Sequence, residues 1–187
     1  MSSCSRNSRK PSHALHLAFA AALLAGPAAH AADQQHAFVL TAFSNGAAGQ
    51  SIMTGDYAAA VKQLDTKSHT LLLDTSSLST NRCVAYSVTK QLDAAHSACD
   101  AAVREAQQEI ANLPVSLSWA RRQYRDYLAL AYSNRAVLNW LSNNSTAAQD
   151  DLNRAQAVAP KADFVAHNLS VLHNRNAVAQ VSVVSKS

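Results

Sequence analysis

Asn134-Arg135-Ala136-Val137 returns 34 residues later as Asn168-Leu169-Ser170-Val171, and Asn81-Arg82-Cys83-Val84 stands upstream in the same form. Between the last two copies lie Ala148, Leu152, Ala155 and Pro160, the spacing of a second helix and its stop. A period near 34 with small residues at fixed places is the mark of a helical repeat array, in which each hairpin buries its apolar stripe only against its neighbours. The fold class this predicts is all-α: antiparallel helix hairpins stacked on one another.

Working outward, the first 31 residues stand apart. Arg6, Arg9 and Lys10 precede a largely apolar run from Ala14 to Gly26, Pro27 breaks it, and Ala29-His30-Ala31 has the form of a cleavage site. This is the layout of a secretory signal peptide, too short to span a bilayer. Cleavage is expected after Ala31, with a periplasmic or secreted destination for the product; the alanine-rich leader suggests a bacterial envelope. No cysteine for a lipid anchor stands near the site, and the leader has no twin arginine. Of the 16 Lys and Arg in the chain, three lie in the leader, which leaves 13 against 12 Asp and Glu. The basic character of the precursor therefore belongs to the leader, and nucleic acid is not expected as a partner.

The remaining 156 of 187 residues suffice for one domain. Alanine is abundant and β-branched runs are rare, which favours helices with close-packed small residues. No other apolar run is long enough to cross a membrane. Phe38 to Thr54 reads as a first helix, and Asp56 as the N-cap of a second through Tyr57, Ala60, Val61 and Leu64. Residues 66–79 read as a Ser/Thr-rich connector around Leu71-Leu72-Leu73. Thr80 to Thr89 and Asp93 to Leu113 form the next hairpin, with Ala95, Cys99 and Ala102 on one stripe and Pro114 as its stop. Ser116 to Leu141 is the longest helical pattern, Asn143-Asn144-Ser145 its turn and Thr146 to Val158 the return. A last helix is expected from Asp163 to Arg175, ahead of a flexible tail over 176–187.

On these residues the chain resembles the tetratricopeptide repeat family. The copy over 129–162 carries Tyr132, Ala136, Ala148, Leu152, Ala155 and Pro160 on that family's large-small-small-large-small-proline pattern. A second copy, 76–109, matches through Cys83, Tyr86, Ala95, Cys99 and Ala102 but lacks the proline. A first, 41–75, matches weakly through Ala48, Gly55-Asp56-Tyr57 and Ala60, and 163–175 looks like a capping half-repeat. The resemblance implies a short right-handed solenoid over 38–175, preceded by a short extension over 32–37. Roughly 19 extra residues separate the second and third copies, around Pro114. Related helical-repeat classes are the alternative.

The resemblance also implies a groove lined by the first helix of each hairpin. Asn81, Asn134 and Asn168 recur there, with Val84, Val137, Trp140 and His167 as neighbours. A carboxamide offers both donor and acceptor, so it suits a peptide backbone whatever its side chains. The competing reading is that these asparagines bond across to the next helix and only position repeats. Arg121, Arg122 and Arg125, interleaved with Trp119, Tyr124 and Tyr127, form either a basic-aromatic patch for a carboxylate or acidic peptide, or a solvated face with Arg122 and Asp126 as i,i+4 partners. Cys83 and Cys99 are the only cysteines after the leader. Pairing Tyr86 with Ala95 across the turn brings them within one residue of register, so a disulfide is expected; two buried thiols are the alternative.

Nothing points to catalysis or a cofactor. No histidine pair of the mature chain has i,i+4 spacing, and neither HExxH, CxxC, GxSxG nor a phosphate-cradling glycine loop occurs. The expected role is a non-enzymatic scaffold or adaptor for a protein or peptide. The alternative is a structural protein that self-associates, as in a homodimer.

Overall fold

The computed structural model describes residues 37–66 and 75–184. The leader, residues 32–36 of the extension, the Leu71–Leu73 stretch and residues 185–187 lie outside them. Among the described residues the chain is helical with no strand: α1 (Gly49–Met53), α2 (Tyr57–Thr66), α3 (Thr75–Val88), α4 (Leu92–Asn112), α5 (Ser118–Leu141), α6 (Ser145–Val158) and α7 (Asp163–Val184).

Local chemistry sets the boundaries. Gly55 takes a positive φ of 77° after α1, a conformation open to glycine, and Asp56 Oδ1 then accepts from the Ala59 N–H at 3.0 Å to cap α2. Asn143, at φ 61°, turns the chain out of α5, and the Asn144 side chain accepts from the Ala147 N–H at 3.1 Å to start α6. Pro114 and Pro160 stand just beyond α4 and α6, where neither helix continues.

Each helix packs on the next in sequence, most extensively α3 on α4 and α5 on α6. In addition α3 touches α5, and α5 touches α7, so the odd-numbered helices form a row. Alanines make the seams: Ala95, Ala102, Ala129 and Ala155 are fully buried, and side chains this small let helix axes approach closely. The extra residues around Pro114 lie in α4 and α5, at 21 and 24 residues the longest of the helices before α7.

Three expectations require correction. Residues 38–54 are not one helix: only Gly49–Met53 is helical, and 37–43 run extended ahead of it. Next, α3 begins at Thr75 and not Thr80, taking the Ser/Thr-rich stretch into the fold with Ser76, Ser77 and Ser79 buried. Small hydroxyl residues can be buried in a helix because they bond locally to its backbone. Finally, α7 continues to Val184 through most of the expected tail.

An arginine-centred network and a disulfide brace the hairpins. Arg135 donates from Nε and Nη2 to Asp151 (2.8 and 2.7 Å) and from Nη1 to Asp100 (2.9 Å), joining α5 to α6 and α4. Asn139 donates to the same buried Asp151 at 3.0 Å. The Asp151 hydrogen bond, above all, holds the guanidinium pKa above its ordinary value. Cys83 and Cys99 are disulfide-bonded, with Cα atoms 4.7 Å apart, and join α3 to α4 beneath Tyr86, Ala95 and Leu138. Closing a loop of this length restricts the unfolded chain by about 3 kcal/mol. Cys99→Ala should lower the unfolding free energy by about that amount in denaturant melts. The parent chain should fall to the same level when reduced, whereas equal melts with and without reductant would refute a stabilising bond.

Candidate functional site: an asparagine-lined groove

The three repeating asparagines lie on α3, α5 and α7, side by side in the row, and all are buried. A buried carboxamide needs partners, because an unpaired polar group removed from water costs about 1–3 kcal/mol. Here the partner is the extended stretch 37–43. The Val39 N–H donates to Asn168 Oδ1 (2.8 Å), and Asn168 Nδ2 donates back to the Val39 carbonyl (2.9 Å). Thr41 makes the same pair of bonds with Asn134, at 2.9 and 2.8 Å. Phe43 makes it with Asn81, at 2.8 and 2.9 Å.

The geometry follows from an extended chain. The N–H and C=O of one residue point to the same edge, and the pattern repeats every second residue. Residues 39, 41 and 43 therefore offer one edge to three successive helices, and each asparagine stands in for a neighbouring strand. The intervening side chains face the core: Phe38, Leu40 and Ala42 join Ile52, Leu64, Val84, Val137, Leu152 and Val171 in one apolar cluster. Burying the two large ones contributes about 1.5–3 kcal/mol each.

The repeated tetrapeptide can now be read residue by residue. Its asparagine holds the extended segment, and its valine (Val84, Val137 or Val171) enters the core. Its arginine, where present, braces a neighbouring hairpin: Arg82 Nη2 donates to the Leu64 carbonyl at 2.8 Å, as Arg135 does to Asp151. Asn168 Nδ2 also donates to Ser133 Oγ across to α5 (2.9 Å), a contact of the repeat-positioning kind, and Asn81 Nδ2 to the Ala47 carbonyl (2.9 Å).

The other groove residues converge on the same segment. His167 Nε2 donates to the Ala37 carbonyl at 2.8 Å, which places the proton on that nitrogen. Trp140 lies against the Phe38 ring, with centroids 5.7 Å apart, and Arg175 sits over its face at 5.5 Å. Beyond the segment the chain turns sharply. Ala48 adopts φ 59°, and a Cβ on Gly49 would meet the Phe43 and Ser44 carbonyl oxygens at 2.3 and 2.4 Å, so only glycine fits.

The basic trio is divided between two surroundings. Arg121 donates to the Leu113 carbonyl at 2.8 Å. Arg122 and Arg125 are exposed instead, on a cleft of about 490 Å³ with Asp126, Val158, Pro160, Lys161 and Phe164. Arg122 and Asp126 are not within ion-pair distance, and burial raises the Asp126 carboxyl above its usual range. Tyr127 meets the Phe43 ring edge-on at 4.8 Å, which ties this part of α5 to the segment.

The sequence reading missed the segment itself. Its signal is the run Phe38-Val39-Leu40-Thr41-Ala42-Phe43, apolar except for Thr41 and followed by Ser44-Asn45-Gly46, the form of a strand buried on both faces. Among the described residues there is no cluster of three metal-ligating side chains, and no helix is long and apolar enough to cross a membrane.

The asparagine bonds predict a graded response. Asn134→Ala leaves the Thr41 N–H and carbonyl unpaired and should cost about 2–4 kcal/mol in denaturant melts at pH 7. Asn134→Asp keeps the shape but turns an acceptor toward the Thr41 carbonyl. Its folded-state pKa is therefore raised, so its stability relative to the parent is full below about pH 3.9 and is lost as pH rises through the folded value. Melts at pH 4 and pH 7 that track the parent would show that Asn134 does not hold the segment. Comparison with protein-family models, curated proteins and solved structures returned no match.

Proposed function

We propose that this chain is a non-enzymatic peptide-binding scaffold of the cell envelope, periplasmic or secreted, whose stacked hairpins form a short tetratricopeptide-like right-handed solenoid. The observation that carries this reading is the triple asparagine clamp on an extended main chain. Recognition of this kind is borrowed from strand addition: backbone bonds supply affinity, and pockets for alternate side chains supply selectivity. The row of α3, α5 and α7 bonds backbone at every second residue, and nothing in those six bonds depends on what the side chains are. A groove of this chemistry accepts an extended polypeptide and offers little to a small metabolite or a nucleic acid.

The self-associating alternative has one observation in its favour. The occupant that fits the groove is part of this same chain, so a second copy carries it too. Light scattering over a range of concentrations separates the two readings, since exchange of segments between copies yields dimers.

A displayed random-peptide library selected against the full chain should return sequences with apolar residues at alternate positions. They should compete with a synthetic peptide of residues 33–45, which spans the backbone that the asparagines hold. Selected peptides that ignore this competitor would place recognition elsewhere and end the groove reading.

A further inference from the structure

We propose that residues 37–43 are an exchangeable occupant of the groove, and that its partner is an extended peptide with an aliphatic residue where this chain has Thr41. The inference rests on the peptide-binding reading above and specifies the peptide.

Thr41 is the central residue of the clamped segment. Its main chain is fully paired with Asn134, and the residue is 2% exposed. Yet its Oγ1 is buried with no hydrogen-bond partner. A buried hydroxyl without a partner is disfavoured against a methyl group of the same shape. The middle of the native occupant is thus mismatched to the site that holds it, and valine differs from threonine there only by that exchange.

The tether is costly as well. Ala48 holds a left-handed backbone conformation that residues with a Cβ rarely adopt. A Cβ on Gly46 would stand 2.9 Å from Asn81 Nδ2, so the turn is pressed against the last clamp. Release of the segment removes both constraints. Against this, a tethered occupant competes at an effective concentration in the millimolar range, which a peptide in trans has to overcome. Replacing the mismatched hydroxyl is the means the site offers.

The remaining positions define the rest of the ligand. An aromatic residue matches Phe38 against Trp140, a large aliphatic one matches Leu40, a small one matches Ala42, and a second aromatic matches Phe43 against Tyr127. The pattern read along the peptide is aromatic, any residue, large aliphatic, aliphatic, small, aromatic. A second copy of this chain would bring the same threonine and gain nothing over the resident segment, so the geometry points to a different protein.

The test uses the full chain and two fluorescently labelled peptides of residues 33–45, one native and one carrying Thr41→Val, titrated by anisotropy. The valine peptide should bind about tenfold tighter, the ratio that one relieved hydroxyl supplies. In the chain, Thr41→Val improves the resident segment, so that variant should melt higher than the parent and load either peptide about tenfold less well. If both peptides bind equally, or the variant chain loads as readily as the parent, the exchange model built on Thr41 is overturned while the peptide groove stands. If neither binds at millimolar concentration and the Val39, Thr41 and Phe43 amides exchange only with global unfolding, the segment is a permanent strap. Both proposals then fall.

Discussion

An extended main chain in the middle of a helical protein has to place its N–H and carbonyl groups somewhere, and this requirement organises the molecule. Helices satisfy their own backbone; residues 37–43 cannot, and no neighbouring strand is present to pair with them among the described residues. Three asparagines on three helices meet the demand, each pairing with both polar groups of one residue. Everything else follows from holding those amides in line. Arg82 and Arg135, each next to an asparagine, bond to a neighbouring helix, the Cys83–Cys99 bond fixes α3 against α4, and alanine seams keep α3, α5 and α7 close enough for one strand to cross them all.

The crossing has a topological consequence. The segment passes α7 first, then α5, then α3, before the chain turns at Gly46–Gly49 and enters α1. The described part of the chain therefore begins by touching its last helix. Contacts between Val39 and Asn168 close a loop of more than a hundred residues, and loop closure of that span is paid in entropy only logarithmically. The Val39–Asn168 pair therefore ties the start of the described chain to its last helix across the whole row.

How much of this was legible differs by element. The hairpins over 80–158 were, because small residues recur at helical spacing and Asn143-Asn144, Pro114 and Pro160 punctuate them. The disulfide was legible from register. The recurrence of Asn81, Asn134 and Asn168 disclosed a chemistry, a carboxamide suited to backbone, though not its occupant. Phe38–Phe43 was read as helix because all but Thr41 are apolar and the small residues Ala47 and Ala48 follow just ahead of α1. A strand buried on both faces loses the polar alternation that identifies an exposed one. Ser76 to Ser79 misled in the opposite direction, since a Ser/Thr run resembles a connector until its burial against the Gly46 turn is seen.

Specificity in such a groove cannot reside in the amides. A carboxamide bonding the N–H and carbonyl of one residue could serve a strand of either direction after turning over by half a revolution about its Cβ–Cγ axis. At Asn81 this freedom is lost, because Nδ2 also donates to the Ala47 carbonyl, which fixes which end of the amide is the donor. Register is a separate matter. A slip of one residue would present residues 38, 40 and 42 to the asparagines and turn Phe38 and Leu40 out of the core, a far larger penalty than any amide rearrangement. The side chains therefore choose the register, one asparagine chooses the direction, and the remaining amides accept whatever backbone those two decisions deliver.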